Sequence, residues 1–219
     1  MAKEAFDIAL AYKLSKERIK PVKNDFELDE KERVIVVTGP NQGGKSTFAR
    51  MFGQLHYLAC IGCPVPAREA SLLLYDHLYS HFEKEELTEN LRGKLHDDLL
   101  RLHEILHNAT SSSVIIMNET FSSATLEDSR FLGRKILEKI LAIGAVCVYV
   151  TFIYDLSKLS PCIVSMVAVV DSSDPTVRTY KIIRKEADGK AYAIMIAKKY
   201  GLTYDEIRRR LNYASILDA

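Results

Sequence analysis

The sequence predicts an α/β domain, a mostly parallel sheet with helices on both faces and a mixed edge. Three observations carry this. Val34–Val37, Val114–Met117 and Ala145–Val150 are apolar runs without alternation, as strands covered on both faces require. Long stretches with helical spacing lie between them, and strands alternating with helices imply a parallel sheet. A glycine-rich turn, Gly39 to Ser46, joins the first of these strands to a helix.

Taken in order, Lys3–Glu17 reads as a short helix. Lys20–Lys31 is polar and irregular, with Phe26 and Leu28 alternating as in a strand. Arg33–Thr38 is the first buried strand, and Lys45–Ile61 is the helix it leads into. Leu72–Phe82 reads as extended. Leu95–Asn108 is a helix, with Leu95, Leu99, Leu102 and Leu106 at spacings of four, three and four. Ser113–Met117 is the second strand. Leu126–Ile143 is a helix closed by Gly144. Ala145–Thr151 is the third strand. Ile163–Val170 and Val177–Arg184 form two strands about the turn Asp171–Pro175 and supply the mixed edge. Lys190–Tyr200 and Thr203–Leu211 are terminal helices separated by Gly201. Residues 1–19 read as an N-terminal helix and linker, residues 20–211 as the core of a single domain.

With 219 residues, 47% of them hydrophobic, the chain can bury one good core. Lys and Arg number 30 against 29 Asp and Glu, a net charge of +1, so no global basic field argues for nucleic acid. Cys147 and Cys162 sit in apolar surroundings as core thiols. Cys60 and Cys63 have CxxC spacing without a second ligand pair or a redox context, so they too read as structural. No signal peptide opens the chain, and no apolar run reaches the ~18 residues of a membrane span. The expectation is a cytoplasmic protein with reduced thiols and no membrane partner.

Gly39-Pro40-Asn41-Gln42-Gly43-Gly44-Lys45-Ser46, followed by Thr47, matches the phosphate-binding pattern G-x-x-x-x-G-K-[ST], with a strand before it and a helix after it. Its glycines let backbone N–H groups converge on phosphates, and the helix N-terminus adds partial positive charge. Lys45 is expected to bridge the terminal phosphates of ATP, and Ser46 to place its hydroxyl on Mg²⁺. The metal also needs an acid at the end of a neighbouring strand. The strand Val114–Met117 offers Asn118-Glu119 instead. Asn118 keeps a carbonyl oxygen and loses a charge, which costs a few kcal/mol of metal affinity at an effective dielectric of ~20. Glu119 is placed to polarise an attacking water; a solvated loop carboxylate is the alternative.

These residues carry a resemblance. Thr38-Gly-Pro-Asn-Gln-Gly-Gly-Lys-Ser-Thr47 resembles the ATPase domain of the MutS family of DNA mismatch repair proteins. Gly62-Cys-Pro-Val-Pro-Ala67, Ile105-Leu-His-Asn-Ala-Thr110, Asp188–Ile194 and Ile196–Leu202 are similar to further family segments, so the likeness runs from about Lys20 to Leu211. It implies an ABC-type P-loop ATPase that works as a homodimer, each site taking its P-loop from one subunit and a helix N-terminus from the other. That helix would be the Leu95 helix, entered through Thr88–Gly93; a cap from Asn90 is the plainer role for that residue. Pro21–Asn24, Val22 among them, align with the segment that contacts adenine, with proline where the family has an aromatic.

The departures from the family pattern cluster on catalysis. Asn118 replaces an aspartate, and Phe152 stands where a histidine usually senses the γ-phosphate. Phe121–Thr125 lacks the family's glycine-rich loop, though Asp128 keeps a matching aspartate. The resemblance therefore implies a divergent relative: an ATP/ADP-binding, slowly hydrolysing dimer switch of a DNA-processing protein. The alternatives are a nucleotide-gated switch without turnover and an unrelated P-loop kinase. With 38 residues ahead of Gly39, a fragment of a longer protein is expected, whose other domains would hold DNA. His77 and His81 share a four-residue spacing on an extended stretch, and His103 and His107 share it on a helix; both pairs read as surface histidines rather than metal ligands. Arg208–Arg210, with Lys198 and Lys199, reads as a solvated helix face.

Overall fold

The structure is a computed structural model that describes residues 1–82, 93–171, 173–174, 176–187, 197 and 200–217, the side chains of 212–217 excepted. Six strands form the main sheet, in the order β5 (Leu78–Phe82), β6 (Val114–Asn118), β7 (Val146–Val150), β3 (Val34–Thr38), β8 (Ile163–Val170) and β9 (Arg178–Arg184). The first five run parallel and β9 closes the edge antiparallel. The expected α/β sheet with a mixed edge is thus what the chain forms.

The unbroken apolar strands face two cores. Ile35 and Val37 of β3, Val114 and Ile116 of β6 and Val148 and Val150 of β7 meet Phe48, Phe52 and Leu55 of α2 (Lys45–Cys60). The alternate residues Val34, Val36, Ile115, Met117, Cys147 and Tyr149 meet α3 (Lys94–Asn108) and α4 (Leu126–Ile143). Period-two alternation sends successive side chains to opposite faces, so a strand buried on both must be apolar throughout. α4 begins at Thr125, whose hydroxyl accepts the Asp128 N–H, and ends at Gly144 with a left-handed φ of 83°. A 3-10 helix spans Tyr154–Lys158, and the last helix, α5, spans Tyr204–Leu217.

The N-terminus departs from expectation. Lys3–Glu17 is not one helix: β1 (Ala2–Ala5) comes first, then α1 (Ile8–Ser15). β1 pairs antiparallel with β2 (Asn24–Phe26) and β4 (Glu69–Ala70) in a separate three-stranded sheet. Ala2 and Ala5 are fully buried there, so tertiary pairing overrides the helical preference of a short alanine-containing segment. Asp7 then starts α1, its Oδ1 accepting the Leu10 N–H at 2.6 Å. In the stretch 72–82 only Leu78–Phe82 is a strand.

Candidate functional site

Register brings the site together. β7 pairs in parallel with both β3 and β6, so Val37, Val150 and Asn118 stand at one level. The Thr151 N–H donates to the Val37 carbonyl at 3.1 Å, and the Glu119 N–H donates to the Val150 carbonyl at 2.9 Å. The glycine-rich turn, Thr151 and Glu119 therefore share the carboxyl edge of the sheet. Gly39 has a φ of 121°, and a Cβ there would lie 2.8 Å from the Ala168 carbonyl oxygen of β8, so the turn needs glycine twice over. Gly44, with φ 91°, occupies the N-cap of α2 and brings no side-chain cap. The first N–H groups of that helix are left for an anion.

Lys45 lies at the centre and is 3% exposed. Its ammonium donates to the carbonyls of Gly39 and Pro40, each at 3.1 Å. Glu119 Oε1 is 3.9 Å from the same nitrogen, and the Phe152 ring centre is 4.6 Å from it. Burial pushes the Lys45 pKa down; the Glu119 carboxylate opposes the shift and the Arg178 guanidinium adds to it. Glu119 has a left-handed φ of 53°, a conformation that costs a glutamate about 1–3 kcal/mol. Its surroundings hold it there: Thr120 Oγ1 donates to the Tyr149 hydroxyl at 2.6 Å, and Ser129 Oγ donates to the Phe121 carbonyl at 3.0 Å.

Asn118 Oδ1 is buried and has no hydrogen-bond partner. An orphaned carbonyl oxygen at the end of β6 is a fitting acceptor for the water shell of a divalent cation. Ser46 lines a cleft beside Lys45 and Glu119.

That cleft has a volume of about 580 Å³ and extends from the glycine-rich turn to α1 and the residues after it, where Leu10, Leu14, Ile19 and Val22 form an apolar wall. α1 is fastened to α2 by Asp7, whose Oδ2 accepts from Gln54 Nε2 at 3.1 Å and Arg50 Nε at 3.3 Å. Tyr180 of β9 lines the opposite side with a left-handed φ of 57°. Asn24 spans the kink this makes, donating to the Tyr180 carbonyl at 3.1 Å and accepting from the Ile182 N–H at 2.7 Å.

Most of the residues singled out from the sequence meet here. Lys45, Ser46, Thr47, Gln42, Gly44, Glu119 and Val22 all line the cleft. Asn41 is exposed, and its carbonyl accepts from Arg178 Nε at 3.0 Å. Gly43 is buried beneath the turn. Sequence reasoning missed the wall from α1, the approach of Arg178 and Tyr180, and the seat of Phe152 over Lys45. The apolar i, i+4 spacing of Leu10 and Leu14 was visible; the surface they cover was not.

Of the other features, Thr88–Arg92, Asp188–Ile194, Ile196, Lys198 and Lys199 lie outside the described residues. So does Asn90, and the N-cap position of α3 belongs to Gly93. His81 is buried, its Nε2 at 3.1 Å from Asp98 Oδ1, whereas His77 is exposed, so this pair is not a surface pair. The two residues straddle the start of β5, and only His81 turns into the space against α3. His103 and His107 are exposed and stack at 6.2 Å on α3. No cluster of three or more metal-ligating side chains occurs among the described residues. Cys147 is buried and Cys162 partly so; Cys60 is half-buried and Cys63 exposed. Arg208–Arg210 are exposed on α5. No described helix is long and apolar enough to cross a membrane.

A buried lysine in a glycine-rich turn at the carboxyl edge of a mixed α/β sheet is consistent with a P-loop NTPase-like domain. The family model for MutS domain V matches residues 35–217, and the chain belongs to that family. Among similar curated proteins is the DNA mismatch repair protein MutS of Chlorobium phaeovibrioides, 32% identical over 205 residues, which cover 90% of this chain and 23% of the relative. The proteins of the same name from Thermotoga neapolitana and Shouchella clausii are each 28% identical, covering 86% and 83% of this chain and 25% and 21% of the relative. The chain thus spans about a quarter of the length of the curated relatives it matches.

Proposed function

We propose that this chain is an ATP-binding, slowly ATP-hydrolysing domain of ABC type, acting as a nucleotide-driven dimer switch in a MutS-like DNA-processing protein. The observation that carries the reading is the Lys45–Glu119 pair across the mouth of the glycine-rich turn. The ammonium donates to two turn carbonyls and lies 3.9 Å from the carboxylate. A triphosphate entering the turn draws Lys45 to its far end and frees Glu119. Glu119 then takes a proton from the water that attacks the terminal phosphorus, while the bond from that phosphorus to the bridging oxygen breaks. Mg²⁺, held by Ser46 and through the Asn118 carbonyl, would neutralise charge on the phosphates. Asn118 supports slow rather than fast turnover, since it brings no negative charge.

The dimer comes from the family resemblance, and Gly93 supports it by opening α3 without a side-chain cap. DNA contact is assigned to parts of a parent protein beyond this domain, and a cytoplasmic location goes with that role. Family membership replaces the reading as an unrelated P-loop kinase. The switch without turnover stays as a second reading, favoured by Phe152, whose ring sits over Lys45 where a polar sensor would touch phosphate. Calorimetry of the chain with Mg²⁺–ATP, beside a phosphate-release assay, tests both. Binding with slow release supports the first reading, binding with release at background the second, and the absence of binding heat removes both.

A further inference from the structure

The base end of the cleft contains two buried polar side chains, and neither is available to a base. Asn24 uses its amide nitrogen on the Tyr180 carbonyl and its oxygen on the Ile182 N–H, and it is 8% exposed. Asp7 is spent on the Leu10 N–H, Gln54 and Arg50, and its side chain is fully buried. The rest of that wall is apolar: Phe6, Leu10, Leu14, Ile19 and Val22. Lys20 and Tyr180 also line the cleft, but both are exposed, so their polar ends stay hydrated and no buried group is left unpaired whichever purine binds. α1, which carries Leu10 and Leu14 of this wall, lies outside the residues that match the family model.

We infer that this cleft takes purine nucleoside triphosphates without choosing between adenine and guanine. The inference rests on the nucleotide reading above. A site that hydrogen-bonds a particular base edge rejects the wrong base steeply, because its own buried polar groups are left unpaired. A wall of phenylalanine, leucine, isoleucine and valine has no such groups to strand. It rewards apolar area, to which the two purines contribute alike.

The test is titration of the full chain with Mg²⁺ and, in turn, ATP, GTP, UTP and inorganic tripolyphosphate. ATP and GTP are expected to bind within about fivefold of one another, as apolar pockets discriminate weakly. UTP, with a smaller base, is expected about tenfold weaker, and tripolyphosphate weaker still. Ile19→Asp, at a half-exposed position, should weaken ATP and GTP by the same factor and leave tripolyphosphate unchanged; Leu14→Asp should do so more strongly. A preference for ATP over GTP above about fiftyfold means a base edge is being read and overturns the inference. Tripolyphosphate binding as tightly as ATP also overturns it, while leaving the phosphate cradle standing. If none of the four binds, the cradle itself is refuted.

Discussion

Lys45 Nζ and Glu119 Oε1 lie 3.9 Å apart, one on the first turn of α2 and the other just beyond β6. The strand between them in the sheet is β7, so the contact depends on the register of three strands rather than on any local motif. It places Glu119, the first acid after β6, within reach of the ammonium that a phosphate would claim. Glu119→Gln should therefore lower phosphate release by about 10²–10³-fold while Mg²⁺–ATP affinity holds or rises, because a general base is lost and a competitor for Lys45 removed. Turnover equal to that of the parent chain would take Glu119 out of the chemistry.

Lys45→Met separates binding from folding. Nucleotide affinity should fall by about 2–5 kcal/mol, the cost of removing one partner from a buried charge pair, as read by calorimetry. The melting temperature without nucleotide should change little, since burial already disfavours the charged amine and Glu119, its partner at 3.9 Å, is partly open to solvent. A large loss of melting temperature would recast Lys45 as a structural residue.

Asn118→Asp together with Phe152→His should raise hydrolysis above the parent chain. The first restores a negative charge beside the metal shell and the second a polar group beside Lys45. Of the single variants, Asn118→Asp should show its gain as a lower Mg²⁺ requirement. A double variant no faster than the parent chain would mean that these two positions do not limit the rate.

Gly39→Ala should destabilise the chain by about 1–3 kcal/mol, because alanine would be strained at that φ and its Cβ would press on β8. Chemical denaturation measures this, and an unchanged midpoint would show that the turn can reshape.

Asp76 predicts an acid limb. Its carboxylate accepts from Thr110, from Ser113 Oγ at 2.8 Å and from the His77 N–H at 2.6 Å. These bonds, that from Thr110 foremost, depress its pKa from 3.8 to about 2. A depressed folded pKa contributes stability above the unfolded value that is lost as pH falls through the folded one. Asp76→Asn should thus melt lower than the parent chain above pH about 4, with the gap closing toward pH about 2. A gap constant across that window would exclude Asp76 as its source.

The main sheet was legible because its signals are local. Val34–Val37 and Val114–Met117 are apolar without alternation, and only strands buried on both faces need that pattern. Thr125 and Gly144 mark both ends of α4 by their own side-chain and backbone chemistry. The segment Lys3–Glu17 misled because β1 exists only through its partners, β2 and β4. Phe152 was legible as a departure from the family pattern, yet its seat over Lys45 was not. That contact depends on where β7 ends relative to β3.

By itself the sequence determined the glycine-rich turn and its lysine, since Gly39, Gly44 and Lys45 act through backbone freedom and charge that need no distant partner. It also determined that β6 ends in an amide, Asn118, directly ahead of Glu119. Only the tertiary structure decided what faces that turn: Glu119 at 3.9 Å from the lysine ammonium, Phe152 against it, and α1 as the far wall of the cleft. The physical reason is that spacing along a strand or helix fixes which side of an element a side chain occupies, whereas its neighbours are set by strand order and by the packing of one element on another.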